Sequence, residues 1–477
     1  MARTMFPNLF ASLLAIAAAS LATPALAQDS FPPPPPVGEP KPFRLPATES
    51  YTLPNGVQVT LIPYGIAPKV VVQLRVRAGN ATEGARTWLS DVTAEMMEEG
   101  AAGRSSAQIA TAAAAMGGDL SVGAGTQTTA ISMNVLSEFA ADAVALVGDV
   151  AIRPDLPEAE LARVKANLGR RLSVALSQAG SVADIALGRT VYGPDHPYGR
   201  AVPSQAQLAG YTIADVRGFH ASQFGAKRAH LYIAGKFDAA TVKAAVAKAL
   251  GGWAAGPDPI VLPAPHKPGP QVILVDRPGA PQTTLRLAFD APLAGSAEDI
   301  PARVTNALLG GAFSSRITRN IREDKGYTYS PYSDTEFSPG EALWGFQADV
   351  TTDVTGPALA EVLKEVRRMQ TEPVPAEEAK GIRTYMAGLF AIMNSTSGAV
   401  VGTLATRDVL GLPADWTDTY VPAVLAVTPE QMAAAARSGY PLARMTLVVV
   451  GDLKTVEPQL KALPELSGLP FQTVKLP

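Results

Sequence analysis

Residues 232–235 read Tyr-Ile-Ala-Gly and residues 448–451 read Val-Val-Val-Gly, the same apolar strand end closing on glycine at an offset of 216 (451 − 235). A strand-like run opens at Gln58-Val59 with Ala67-Pro68 after it; another opens at Gln271-Val272 with Ala280-Pro281 after it, an offset of 213 (271 − 58). Pro157 with Glu158 begins a helical stretch that Pro375 with Glu377 echoes, at an offset of 218 (375 − 157). Three landmarks in one order at nearly one offset point to a duplicated unit. Between the copies lies Gly256–Pro270 (GPDPIVLPAPHKPGP), whose prolines fix φ and remove donors, so it reads as a linker.

Each copy mixes strands and helices. Val57–Pro63 and Val70–Ala78 are β-branched and alternating, preceded by the turn residues Pro54-Asn55-Gly56. Ser106–Met116 and Ser137–Ile152 carry apolar residues at helical spacing. Gly117-Gly118 breaks the chain before a strand pattern that runs from Leu120 to Asn134. Pro157 suits a first helical turn, and Glu158 and Glu160 suit its positive end. The expected fold class is α+β: a sheet with helices grouped on one face, built twice. Neither a Rossmann fingerprint nor a Walker loop is present.

The ends and the composition bound the function. The chain has 477 residues, 47% hydrophobic and 17% charged, with 40 basic and 43 acidic side chains and a net charge of −3. No basic block points to nucleic acid. Arg3, the apolar run Leu9–Ala22 and Ala25-Leu26-Ala27 before Gln28 read as a cleaved secretory signal, 1–27, too short for a membrane span. Residues 28–46 follow as a proline-rich tether, Phe31–Pro46 being FPPPPPVGEPKPFRLP. The absence of cysteine excludes disulfides, a thiol nucleophile and thiolate-bound zinc, and is compatible with a periplasmic or secreted location. The expected organisation is then 47–255, a linker at 256–270, and 271–477.

Several longer stretches carry a family likeness: LPNGVQVTLIP (53–63), GGDLSVGAGTQTTAISMNVL (117–136), DHPYGRAVPS (195–204) and GGAFSSRITRNIREDKGYTYS (310–330). In this order they resemble the pitrilysin, or insulinase-like, zinc peptidases over about residues 48–457. The resemblance implies two homologous α+β domains forming a half-clamshell, pairs of which enclose a chamber for extended peptides.

The family's inverted zinc motif, H-x-x-E-H, places two imidazoles on one helix face beside a glutamate that activates water. Residues 89–97 here read LSDVTAEMM, so Asp91 and Glu95 stand at the histidine positions and Ala94 at the general base. The third-ligand position falls at Arg170-Arg171-Leu172, where there is no carboxylate. Asp91 and Glu95 share a helix face and either hold a hard cation weakly or pair with the nearby arginines; no catalytic zinc is expected in this chain. His196, His220, His230 and His266 do not pair at metal spacing.

The second half retains what the first lacks. Arg322, Gly326 and Tyr329 match the family's Arg/Tyr segment, in which the two side chains approach the scissile bond. A guanidinium and a phenol both donate to an oxyanion. On spacing alone, Arg322 paired to an acid and Tyr329 as a half-buried aromatic is the blander expectation. Within the resemblance, the chain is expected to be the non-zinc-binding subunit of a peptidase heterodimer, inactive alone, completing the site of a partner that carries zinc and acts on peptides. The alternative is a non-enzymatic scaffold or peptide-binding protein of the same fold.

Overall fold

The computed structural model describes residues 43–45, 47–260, 262 and 269–475. The signal 1–27, most of the tether and residues 261 and 263–268 of the linker lie outside the described residues. Two six-stranded sheets repeat one design. The first runs, edge to edge, Leu120–Ala124, Thr129–Leu136, Lys69–Val76, Ala229–Gly235, Gln58–Pro63 and Glu49–Thr52. The second runs Tyr332–Ser338, Glu341–Thr351, Gln282–Asp290, Thr446–Gly451, Gln271–Asp276 and Phe471–Thr473.

Five of six positions correspond. The sixth is filled from opposite ends of the chain, by an antiparallel strand before Gln58 in one sheet and a parallel strand after Thr446 in the other. The glycine closing each repeated strand end has a steric cause. At Gly235, with φ at +137°, a Cβ would meet the Lys69 carbonyl oxygen at 2.2 Å; at Gly451 it would meet Thr283 Oγ1 at 2.8 Å.

Local chemistry sets the helices. Ser105 accepts from Gln108 N while the Gln108 side chain accepts from Ser105 N, and this capping box starts Ser106–Ala115. Pro157 stands just ahead of Glu158–Ser177, with Glu158 and Glu160 in its first turn. In the first half Val59, Leu61, Val72 and Leu74 share a core with Met96, Met97, Val144 and Val147. In the second, Leu285, Leu287 and Phe346 share one with Leu359, Val362 and Val366.

The expectation of helices on one face only is corrected by the structure. The other face of each sheet is covered by a helix from the opposite half. Val182, Ala183 and Ala186 of Ala179–Tyr192 pack on Ile273, Val275, Val448 and Val450. Reciprocally, Val400, Val401, Leu404 and Ala405 of Ser397–Leu410 pack on Ile62, Val71, Tyr232 and Ala234. Two-sided burial is why Thr446–Gly451 is buried at every position and apolar without alternation. Each valine, leucine or isoleucine so buried contributes about 1.5–3 kcal/mol, so the exchange ties the halves firmly.

A polar cluster sits beside the second of these contacts. Tyr232 Oη donates to Asp408 Oδ2 at 2.7 Å, and Arg407 Nη2 donates to Asp408 Oδ1 at 2.7 Å. His230 Nδ1 lies 2.9 Å from Tyr232 Oη and its Nε2 2.9 Å from Thr60 Oγ1. Burial pulls the His230 imidazole down to about 4, against the opposing pull of Asp408. Thr60 is 2% exposed, so this threonine–histidine–aspartate arrangement is closed to substrate and holds the halves together instead.

Candidate functional site

Asp91, Ala94 and Glu95 lie on the helix Leu89–Glu98, and each is occupied by protein chemistry. Asp91 Oδ2 accepts from Asn80 Nδ2 at 2.7 Å. Burial holds its carboxyl above the ordinary range, with the Asn80 bond and the Arg171 charge opposing. Glu95 pairs with Arg171, the residue at the third-ligand position. Ala94 is buried and offers no base.

The zinc that the family implies does not fit this set. It has no imidazole, one carboxylate committed to an amide, another to a guanidinium, and a cation where the third anionic ligand is needed. We expect the dialysed chain to carry no stoichiometric zinc and to cleave no peptide by itself, checked by metal analysis with a chelator-controlled assay. One tightly held zinc per chain would contradict this.

Glu83 is a feature that motif reading missed. It is 5% exposed and accepts from Trp88 N at 2.8 Å, Ser90 N at 2.9 Å and Ser90 Oγ at 2.6 Å. Burial pushes its carboxyl up to about 7 against those bonds. It ties down the start of the degenerate helix, where Trp88 has φ of 66°. An acid six residues ahead of Leu89 was the available signal.

Residues 299–330 build the second candidate site. The helix Asp299–Asn306 passes into a π-helical turn, Ala307–Gly311, closed by Ala312 N donating to Ala307 O at 3.0 Å. A second π-helical segment, Thr318–Asp324, ends as Lys325 N donates to Asn320 O at 3.1 Å. Such widened turns re-aim side chains and recur at functional sites. Asn306 locks the first turn: its Oδ1 accepts from Trp344 Nε1 at 2.6 Å and Ser333 Oγ at 2.6 Å. Gly326, with φ of 65°, then reverses the chain toward Tyr329, a conformation that strains other residues.

One face of the second π segment is anchored. Arg316 Nη2 donates to Glu378 Oε2 at 2.5 Å, and Asn320 Nδ2 donates to Glu361 Oε2 at 2.9 Å and Glu365 Oε1 at 2.8 Å. The other face carries Arg322. Its Cζ lies 4.6 Å from the Phe313 ring centroid and 4.7 Å from that of Tyr329. Phe313 is 65% and Tyr329 79% exposed.

The guanidinium thus lies over two largely exposed rings, a cation–π arrangement that uses none of its N–H groups as hydrogen-bond donors. Among the described residues no carboxylate forms an ion pair with Arg322, so the acid-paired arrangement is not adopted. Phe313 is the second residue that motif reading missed. Its signal was a large aromatic between a Gly-Gly turn and two serines.

A family model described as the peptidase M16 inactive domain matches residues 210–386. Over 351 residues the chain is 28% identical to an uncharacterized zinc protease of Mycobacterium bovis, covering 71% of this chain and 76% of that protein. An uncharacterized zinc protease of Bacillus subtilis is 24% identical over 285 residues, 59% of this chain and 69% of its own length.

Residues 210–386 match the M16 inactive domain, and the chain is similar to zinc proteases of that kind.

Solved structures share this fold. A peptidase M16 inactive domain from Pseudomonas fluorescens superposes with a TM-score of 0.78 at 22% identity, over 85% of this chain and 98% of that one. A protease from Helicobacter pylori gives 0.79 at 17% identity, over 86% and 100%. The match to the inactive-domain model begins at residue 210 and so does not reach Asp91, Ala94 and Glu95.

Proposed function

We propose that this M16 homologue is the non-zinc-binding subunit of a peptidase heterodimer and completes the active site of a zinc-bearing partner of the same family. The observation that carries this reading is the Phe313–Arg322–Tyr329 cluster, in which a guanidinium without an ion pair among the described residues lies over two exposed rings, one of them a phenol. Peptide hydrolysis passes through a tetrahedral oxyanion, and fixed donors are worth most where that charge develops. Arg322 lies over two rings, and the bonds of Arg316 and Asn320 to neighbouring helices anchor the segment that carries it. In the partner-completed site, Arg322 and Tyr329 donate to the oxyanion while the partner's zinc supplies Lewis-acid and water-activating chemistry.

The test is reconstitution with a partner that has an intact H-x-x-E-H, followed by substitution of each donor. A scaffold or peptide-binding role predicts activity indifferent to both. We also propose export, on the strength of Arg3, the short apolar run and Ala25-Leu26-Ala27. N-terminal sequencing of the exported protein is expected to begin at Gln28; an intact Met1 would count against it.

A further inference from the structure

A groove of about 520 Å³ opens where the two halves meet. One wall is aromatic, made by Phe337, Phe390, Trp416 and Tyr420. Phe390 and Tyr420 stack with centroids 4.4 Å apart, and Met393, 61% exposed, borders them. The charge in the lining has one sign. Arg75 comes from the strand Lys69–Val76, Arg303 from the helix Asp299–Asn306 and Arg407 from the helix Ser397–Leu410, and among the described residues no aspartate or glutamate lines the groove.

Two of the three are compensated by acids outside the lining. Arg303 Nε donates to Asp299 Oδ1 at 2.6 Å and Arg407 Nη2 to Asp408 Oδ1 at 2.7 Å. Arg75 is different. Its Nε donates to the neutral Gln73 Oε1 at 2.8 Å, and among the described residues no carboxylate forms an ion pair with it. Its guanidinium is partly buried, and burial pulls it below its ordinary value. A cation in that setting has lost hydration without gaining a counter-ion, and an incoming carboxylate restores the balance through charge-assisted hydrogen bonds.

We propose that this groove binds the C-terminal end of an apolar peptide, its terminal carboxylate on Arg75 and its last side chains against Phe390, Trp416 and Tyr420. A peptide end brings either a carboxylate or an ammonium, and a lining whose one uncompensated charge is the Arg75 guanidinium admits the first and repels the second. The aromatic wall selects apolar neighbours for that carboxylate. The choice of a peptide rests on the proposed peptidase role, since cleavage releases a fragment with a new terminal carboxylate. The groove belongs to this chain alone, so its binding is measured without the partner, and failure here leaves the reconstitution result to stand by itself.

The probe is acetyl-Ala-Leu-Phe-Val-Leu with a free carboxylate, compared with its C-terminal amide. The full chain is titrated with each by calorimetry and by the fluorescence of Trp416, with Trp416→Phe as the optical control. The free acid is expected to bind about tenfold tighter than the amide, and Arg75→Gln to abolish that difference while leaving the amide unchanged. Equal affinity of acid and amide overturns the proposal, as does no binding of either. So does an amidated peptide with an internal aspartate that binds as tightly as the free acid, or an acid preference that survives Arg75→Gln. Should Arg75→Gln fail to fold, the acid–amide comparison on the unaltered chain still decides.

Discussion

Arg322→Ala in the reconstituted complex is expected to lower kcat by about 10²–10³, the loss of roughly 3–4 kcal/mol that removal of one oxyanion donor causes. Tyr329→Phe, which removes only a hydroxyl from a ring 79% exposed, is expected to act in the same direction. KM should move little in either, because the donors act on charge that appears only in the transition state. Folding and subunit association should survive, since neither side chain belongs to the core and the anchoring bonds of Arg316 and Asn320 remain. Melting curves and size-exclusion profiles of the variants check that the loss is chemical. Unchanged kcat in both variants would remove Arg322 and Tyr329 from catalysis and leave the scaffold reading.

The second large effect concerns the joint between the halves. Asp408→Ala leaves the Tyr232 hydroxyl and the Arg407 guanidinium without their carboxylate, and breaking such a buried pair costs about 3–5 kcal/mol. Because Asp408 keeps 22% side-chain exposure, the lower end is expected. Asp408→Asn retains an acceptor for Tyr232 and should lose less.

The same joint gives a pH dependence. His230 is held near 4 when folded, against an ordinary value of 6.5, so the unfolded chain takes up a proton first as pH falls. Its contribution to stability is fully present above 6.5 and is lost progressively as pH drops through 6.5 toward 4, to a total of about 3 kcal/mol. Urea unfolding at pH 7.5, 5.5 and 4.5, compared with His230→Gln, measures it; identical slopes for the two chains would show that another group is responsible.

Much of the fold was legible because duplication repeats its own evidence. Val448-Val449-Val450-Gly451 and Tyr232-Ile233-Ala234-Gly235 mark the same strand in two sheets, and the close approach of the neighbouring strand explains both glycines. The exchange of Ala179–Tyr192 and Ser397–Leu410 between halves was not read from the sequence. Its trace was there, in strands such as Thr446–Gly451 that are apolar without alternation and so buried on both faces. Helical periodicity identifies the covering helices but not which sheet each one covers, because that is a long-range choice.

At the candidate site, residue types put Asp91, Ala94 and Glu95 where the resemblance implies two histidines and a glutamate. The pairing of Glu95 with Arg171 needed three dimensions, since those residues are 76 positions apart (171 − 95). Phe313 escaped attention for a related reason. Spacing showed an Arg and a Tyr seven residues apart (329 − 322), whereas the π-helical turns that bring Phe313 onto the same guanidinium follow no simple period.

The most direct test of the central claim is peptide hydrolysis by this chain alone, by a partner with an intact H-x-x-E-H alone, and by the two mixed. The expected result is no turnover by this chain, little by the partner, and chelator-sensitive turnover by the mixture that rises with added subunit to a stoichiometric plateau. A partner as active alone as in the mixture, or zinc-dependent turnover by this chain without it, would contradict the account.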